Sequence, residues 1–289
     1  MLTLLLLVWL AALGGTIGSF LNVVVYRLPA GKSLVYPGSY CPVCKHPIRW
    51  HDNVPVFGWL ALGGHCRDCG VWIPIRYPLV EAITALVFLL VGAAELLSGG
   101  GNLPMRPEAV VDGAVLLPWT PERLAGILAY HLFLLSTLLP IALIEYDKKP
   151  GIWRAAWPAL LIGLLAPVAW PQLHPVPAGP VWTGWHAGLA DGAAGLLAGL
   201  VVGAGMQRLA GRGVSGLCAG PACVGLFLGW QAVVVVTVAA AAIHGLGRGL
   251  GRRAPAPEGL PFNGWLALGT LVWVTCWRAI IESFPRGWP

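Results

Sequence analysis

Seven stretches of this chain run for about twenty residues without a central Lys or Arg: 2 to 26, 78 to 98, 124 to 145, 152 to 170, 186 to 206, 222 to 243 and 262 to 282. About 20 mostly apolar residues is the length that carries a helix across the hydrocarbon core of a bilayer. Inside lipid every backbone polar group must be paired within the structure, which restricts spanning elements to helices and closed barrels. The expected fold is therefore all-α, a polytopic transmembrane helical bundle. With 57% apolar and only 10% charged side chains, an ordinary soluble domain is excluded. The first run, MLTLLLLVWLAALGGTIGSFLNVVVYR, lacks a basic leader and exceeds the roughly 7 to 15 residues of a signal-peptide core, so it reads as a retained span.

The formal charge of +6 raises nucleic acid as a partner, but no basic face interleaved with aromatics is present. Basic residues instead flank the spans, and membrane lipid is the partner they imply. Arg27, Lys32, Lys45, Arg49, Arg67 and Arg76 all fall in the first loop, which the positive-inside rule places in the cytoplasm, with the N-terminus outside. Alternation then puts Lys148, Lys149, Arg154, Arg208 and Arg212 inside, in agreement with the rule. It puts Arg248, Arg252 and Arg253 outside, against it. Either the rule is overridden late in the chain or the span count differs by one there, with eight spans instead of seven, so the topology after residue 207 stays open.

Three regions follow: a first span at 1–27, a polar loop at 28–77, and a multi-span membrane domain at 78–289. Pro and Gly make 99–122 and 171–185 connectors, and 245–259 reads as a Gly, Arg and Pro linker. The polar loop holds Cys41, Cys44, Cys66 and Cys69 as CPVC and CRDC with 21 residues between the pairs. Two short C-x2-C turns can present four thiolates to one tetrahedral zinc. Four sulfur ligands leave no place for water, so the role is structural, and the ion would supply much of the folding free energy of so small a loop. Paired disulfides are the competing reading, disfavoured by a reducing cytoplasm. His46, His51 and His65 lie nearby as solvated or auxiliary groups. Cys218, Cys223 and Cys276 sit in or beside spans as ordinary apolar thiols.

GSFLNVVVYRLP (Gly18 to Pro29), then CPVC, PIRWHDNVPVFGWLALGGHCRDCG and IPIRYPLVEAITALVF (Ile73 to Phe88), resembles the N-terminal region of the bacterial prepilin peptidase family. LGWQAVVVV (Leu228 to Val236) and LPFNGWLALG (Leu260 to Gly269) resemble its late spans. The resemblance implies a polytopic aspartic endopeptidase of the bacterial inner membrane. Such an enzyme removes the basic leader of type IV prepilins and type II secretion pseudopilins at the cytoplasmic face. It also implies N-methylation of the product with S-adenosylmethionine, an activity linked with the cysteine loop. The partner would be a pilin-like or pseudopilin precursor with an apolar N-terminal helix.

Peptide hydrolysis by carboxylates needs two acids around one water, one ionised and one protonated. The family carries one in an I-D-x-D sequence and the other in a G-x-G-D motif. Here the first region reads LIEYDKKPG, placing Glu145 at the catalytic position and Asp147 at the second acid. Counting back from Leu228-Gly229-Trp230-Gln231 places Leu217 where the G-x-G-D acid belongs. No acid lies between Asp191 and Glu258. Asp191, within a span, is the candidate replacement, because an intramembrane carboxylate is a functional-site hypothesis by default. The competing readings are an interfacial charge cluster for Glu145 and Asp147, a helix-end residue for Asp191, and a packing role for Glu81.

Three functions compete: a divergent aspartic peptidase using Glu145, Asp147 and Asp191; a catalytically inactive relative that binds, chaperones or methylates a pilin-like helix; and a small-solute transporter with a zinc loop. The transporter reading lacks the paired broken helices that such proteins use.

Overall fold

The computed structural model describes residues 2–104, 110–111, 114–115, 120–170, 173–174, 185–210, 216–251 and 259–283. Most of the connectors expected at 99–122 and 171–185, and the linker from residue 252, lie outside the described residues, as do Arg212, Arg252, Arg253 and Glu258. Among the described residues, seven helices are long and apolar enough to cross a membrane. The chain is thus an all-α, multi-pass membrane protein. One small exception among the described residues is an antiparallel pair of two-residue strands, Val110–Val111 (β1) and Ala114–Val115 (β2). The chain divides into two compact units, Met1–Gly92 and Ala93–Pro289.

The first unit is a helical hairpin carrying the polar loop. Its spans are α1 (Leu2–Arg27) and α3 (Arg76–Gly92), and the short α2 (Phe57–Ala61) lies between them. Small residues let the two spans touch, as is usual for helix pairs in lipid. A Cβ on Gly14 would sit 2.8 Å from the Thr84 carbonyl oxygen, and one on Gly18 would sit 2.7 Å from the Glu81 Cα. Where α1 ends, Arg27 folds back and is buried. Its guanidinium donates to the carbonyls of Ser33 at 3.2 Å and Gly38 at 3.0 Å, anchoring the start of the loop.

The second unit begins with a π-turn at Ala93–Leu97 and contains α4 (Pro121–Tyr146), α5 (Ile152–Ala169), α6 (Trp185–Ala210), α7 (Ala219–Gly251) and α8 (Phe262–Glu282). Its central strut is α4, whose apolar window is 72% buried within the protein, against 28% for α5 and α6. Antiparallel α6 and α7 meet along three glycines spaced one turn apart. A Cβ would fall within 3 Å of the Gly225 oxygen from Gly195, of the Pro221 oxygen from Gly199, and of the Cys218 Cα from Gly203. Two helices break internally, α7 at Gly229 (φ 85, ψ 171) and α8 at Cys276 (φ −120, ψ 19). Asn102 repairs the second break: its Nδ2 donates to the Val274 carbonyl and its own carbonyl accepts from the Arg278 amide, both at 2.8 Å.

Candidate functional site

The polar loop of the first unit is built as two matching knuckles. In each, the amide four residues after the first cysteine donates to that cysteine's carbonyl at 2.9 Å (Lys45 to Cys41, Gly70 to Cys66). Those two donors also share a left-handed backbone, φ 63 at Lys45 and φ 69 at Gly70. The turn therefore demands positive φ; glycine meets it freely and lysine at a cost. Isolated bridges Tyr40↔Pro47 and His65↔Trp72 close the base of each knuckle. Reciprocal ion pairs tie one knuckle to the other. Arg67 grips Asp52 through Nε at 2.7 Å and a second nitrogen at 2.5 Å, and Arg49 reaches Asp68 at 3.1 Å.

This frame brings the sulfurs of Cys41, Cys44, Cys66 and Cys69 to within 4.8 Å of one another. Two contacts run between knuckles, Cys41 to Cys69 at 3.8 Å and Cys44 to Cys66 at 4.0 Å. A tetrahedron with metal–sulfur bonds of about 2.3 Å has edges of about 3.8 Å, so the set could close on one ion with a small contraction. These spacings are far from bonding distance for a disulfide, about 2.05 Å, and the cysteines are free thiols. The amide of Cys44 lowers the Cys41 thiol to about 7. Cys44 is pushed up to about 12: the His46 amide favours its thiolate, but burial and the neighbouring thiols outweigh that. Such a cluster gives up one proton readily and resists further negative charge until a cation is present. No histidine joins the group; His65 Nδ1 donates to the Gly63 carbonyl at 2.7 Å instead.

Between the loop and its two spans lies a cavity of about 480 Å³ whose walls include Arg27, Asp52, Trp59, Trp72, Tyr77 and Glu81. Glu81 Oε2 accepts from the Val56 amide at 2.7 Å. Val56 is the centre of a γ-turn, with φ 64 and ψ −53 and the Phe57 amide donating to the Pro55 carbonyl at 2.7 Å. That conformation is rare and strained, more so for a β-branched residue. A carboxylate borne on α3 therefore holds a strained turn of the loop at the wall of the cavity.

In the second unit, Glu145 lies at the end of α4, half-buried. Its Oε2 accepts from both the backbone amide of Asn263, at 2.9 Å, and Asn263 Nδ2, at 2.7 Å. Asn263 lies in the first turn of α8, whose N-cap residue, Pro261, makes no side-chain cap. Glu145 thus supplies the anionic acceptor that the helix N-terminus otherwise lacks. Asp147 turns away to pair with Lys149 at 2.9 Å. Leu217 is buried in the turn before α7, near this same end: a Cβ on Gly220 would meet Asn263 Oδ1 and one on Gly216 would meet Ile152.

Asp191 is buried in α6, at the other end of the α6–α7 pair. Gly203 of α6 faces Cys218 and the Leu217 carbonyl, whereas Gly192 faces Leu226 and His174. The 12 residues from Asp191 to Gly203 amount to about 18 Å of helix. The structure thus brings Glu145 to Asn263 and leaves Asp191 remote from both. Asn263 was not singled out from sequence, although an α8 start with proline at its cap position was the available signal.

A family model for the bacterial peptidase A24 N-terminal domain matches residues 12–94. The chain is 38% identical over 162 residues to a prepilin leader peptidase/N-methyltransferase of Myxococcus xanthus, covering 56% of this chain and 39% of that one. A protein of the same description from Klebsiella pneumoniae is 33% identical over 195 residues, with 60% and 83% covered. One from Aeromonas salmonicida is 31% identical over 303 residues, with 90% and 89% covered. No solved structure matches.

Proposed function

Because this chain belongs to the prepilin leader peptidase/N-methyltransferase family, we propose that it receives the apolar helix of a pilin-like precursor in the bacterial inner membrane without cutting it by the two-acid route. The observation that carries this reading is the engagement of Glu145. Its carboxylate is spent on the N-terminus of α8 through two hydrogen bonds to Asn263, and the residue aligned with the second acid is Leu217, buried in the turn before α7. Two acids must share a water for the aspartic mechanism, and Asp191, several turns along α6, is too distant to stand in. Losing one member of a cooperating pair removes most of its rate.

The cysteine loop faces the cytoplasm in this reading, supported by its basic flanks. Zinc is the metal that four converging thiols favour, and its part is to fold the loop. Methyl transfer is the second reading, favoured by the cavity beside that loop. S-adenosylmethionine, when bound, would supply an electrophilic methyl on a sulfonium. The cavity fits such a cation in chemistry, since Glu81 offers a carboxylate and Trp59, Trp72 and Tyr77 offer aromatic walls. The free α-amine needed for methylation would then come from a chain processed elsewhere.

The test is a proteoliposome assay with a precursor carrying a basic leader. The expected result is an unshortened precursor with the native protein, and a measurable gain of cleavage in the double variant Glu145→Asp, Leu217→Asp. Cleavage by the native protein that disappears in Glu145→Ala would overturn the proposal.

A further inference from the structure

The family's chemistry leaves unused a second polar cluster, deep in the second unit. His131 lies on α4 and its Nδ1 donates to Glu95 Oε1 at 2.6 Å, with both side chains at 0% exposure. Glu95 sits on the π-turn at Ala93–Leu97, a local widening of the helix that often accompanies a functional position. Ten residues separate His131 from the start of α4, about 15 Å, and fourteen separate it from Glu145, about 21 Å. The cluster therefore lies well inside the span and is independent of the Glu145 site.

Two buried tryptophans of α8 complete it. The rings of His131 and Trp277 are 6.0 Å apart, and those of Trp273 and Trp277 are 5.8 Å apart. Four polar atoms here have no protein partner among the described residues: Glu95 Oε2, His131 Nε2, Trp273 Nε1 and Trp277 Nε1. The break in α8 at Cys276 falls between the two tryptophans, and the Asn102 bonds that repair it satisfy the backbone only.

The chemistry of those atoms narrows what they can hold. Both indoles are donors only, and the carboxylate oxygen is an acceptor. A bare cation would meet two N–H groups, and an anion would meet the carboxylate; a ligand that both donates and accepts satisfies all of them. The four side chains are at most 1% exposed, so a large ligand cannot reach them. Water meets these conditions, and buried water typically makes about three hydrogen bonds to groups of this kind. In a lipid-embedded bundle no outside solvent is available to do so. We propose that Glu95, His131, Trp273 and Trp277 form an internal hydration site that holds water at the joint of α8.

The experiment uses the full chain in lipid bilayers, labelled with 15N at its tryptophan indoles and studied by water-edited solid-state NMR. Trp273→Phe and Trp277→Phe assign the two signals, and exposed Trp50 is the positive control. The expected result is transfer from water to both buried indoles, comparable with that to Trp50, and its loss at Trp277 in the double variant Glu95→Leu, His131→Leu. Transfer from lipid chains alone, or none where Trp50 responds, overturns the proposal. Should the double variant fail to fold, the wild-type measurement decides by itself.

Discussion

Replacing Glu145 by alanine separates a structural from a catalytic role for this carboxylate. The substitution removes two hydrogen bonds from Asn263 to one charged oxygen, and bonds to charged groups contribute about 1.5–3 kcal/mol each. Because Glu145 is half-buried, water takes over part of that interaction and the lower end applies. Against this stands the amide of Asn263, which has no exposed surface and whose Oδ1 is already unpartnered. Leaving its Nδ2 unpaired as well adds cost, as does losing the anion at the α8 N-terminus, about 0.5 kcal/mol. The sum is a loss of about 4 kcal/mol in the second unit. Glu145→Gln keeps an acceptor and should cost about 1 kcal/mol. The assay is reversible unfolding by sodium dodecyl sulfate in mixed micelles, followed by tryptophan fluorescence. An acid kept only for chemistry is usually neutral or stabilising to remove. A Glu145→Ala protein as stable as the native one would therefore refute the capping argument.

Purified protein should carry one metal ion per chain by elemental analysis, and Cys41→Ser should abolish it and leave the 28–77 loop sensitive to protease. The Arg67 guanidinium hydrogen-bonded to Asp52 holds its carboxyl below the usual range. A depressed folded value stabilises above the unfolded value near 3.9 and is lost as pH falls through the folded one. Asp52→Asn should thus weaken the loop at neutral pH, and the gap from wild type should close in strong acid, read by pH titration of tryptophan fluorescence. Gly195→Ala would drive a Cβ into the Gly225 carbonyl oxygen, and overpacking of this kind costs about 1–3 kcal/mol or more; unchanged detergent unfolding would show that the backbones part easily.

The spans were legible because each is a contiguous stretch of lipid-crossing length, and helix boundaries such as Ile152–Ala169 and Phe262–Glu282 follow directly from where apolar residues start and stop. The cysteine cluster was legible because each pair is local and the pairs repeat. Partnerships set by bundle packing were not. Glu145 meets a residue 118 positions away, and nothing in LIEYDKKPG announces an asparagine after Pro261. Asp191 was visible as an acid within a span, but its depth follows from the register between α6 and α7, set by glycine contacts that a linear pattern does not order. Glu95 and His131 went unnoticed because each, taken alone, is a single polar residue at or in an apolar run.

The glycines of α6 carry a mechanical implication. With backbone against backbone at three successive turns, α6 and α7 have no side-chain layer that could shear, so they move as one beam. Any parting of this bundle would then run along another seam, and the fastening of Glu145 to Asn263 between the end of α4 and the beginning of α8 is a latch on one of them.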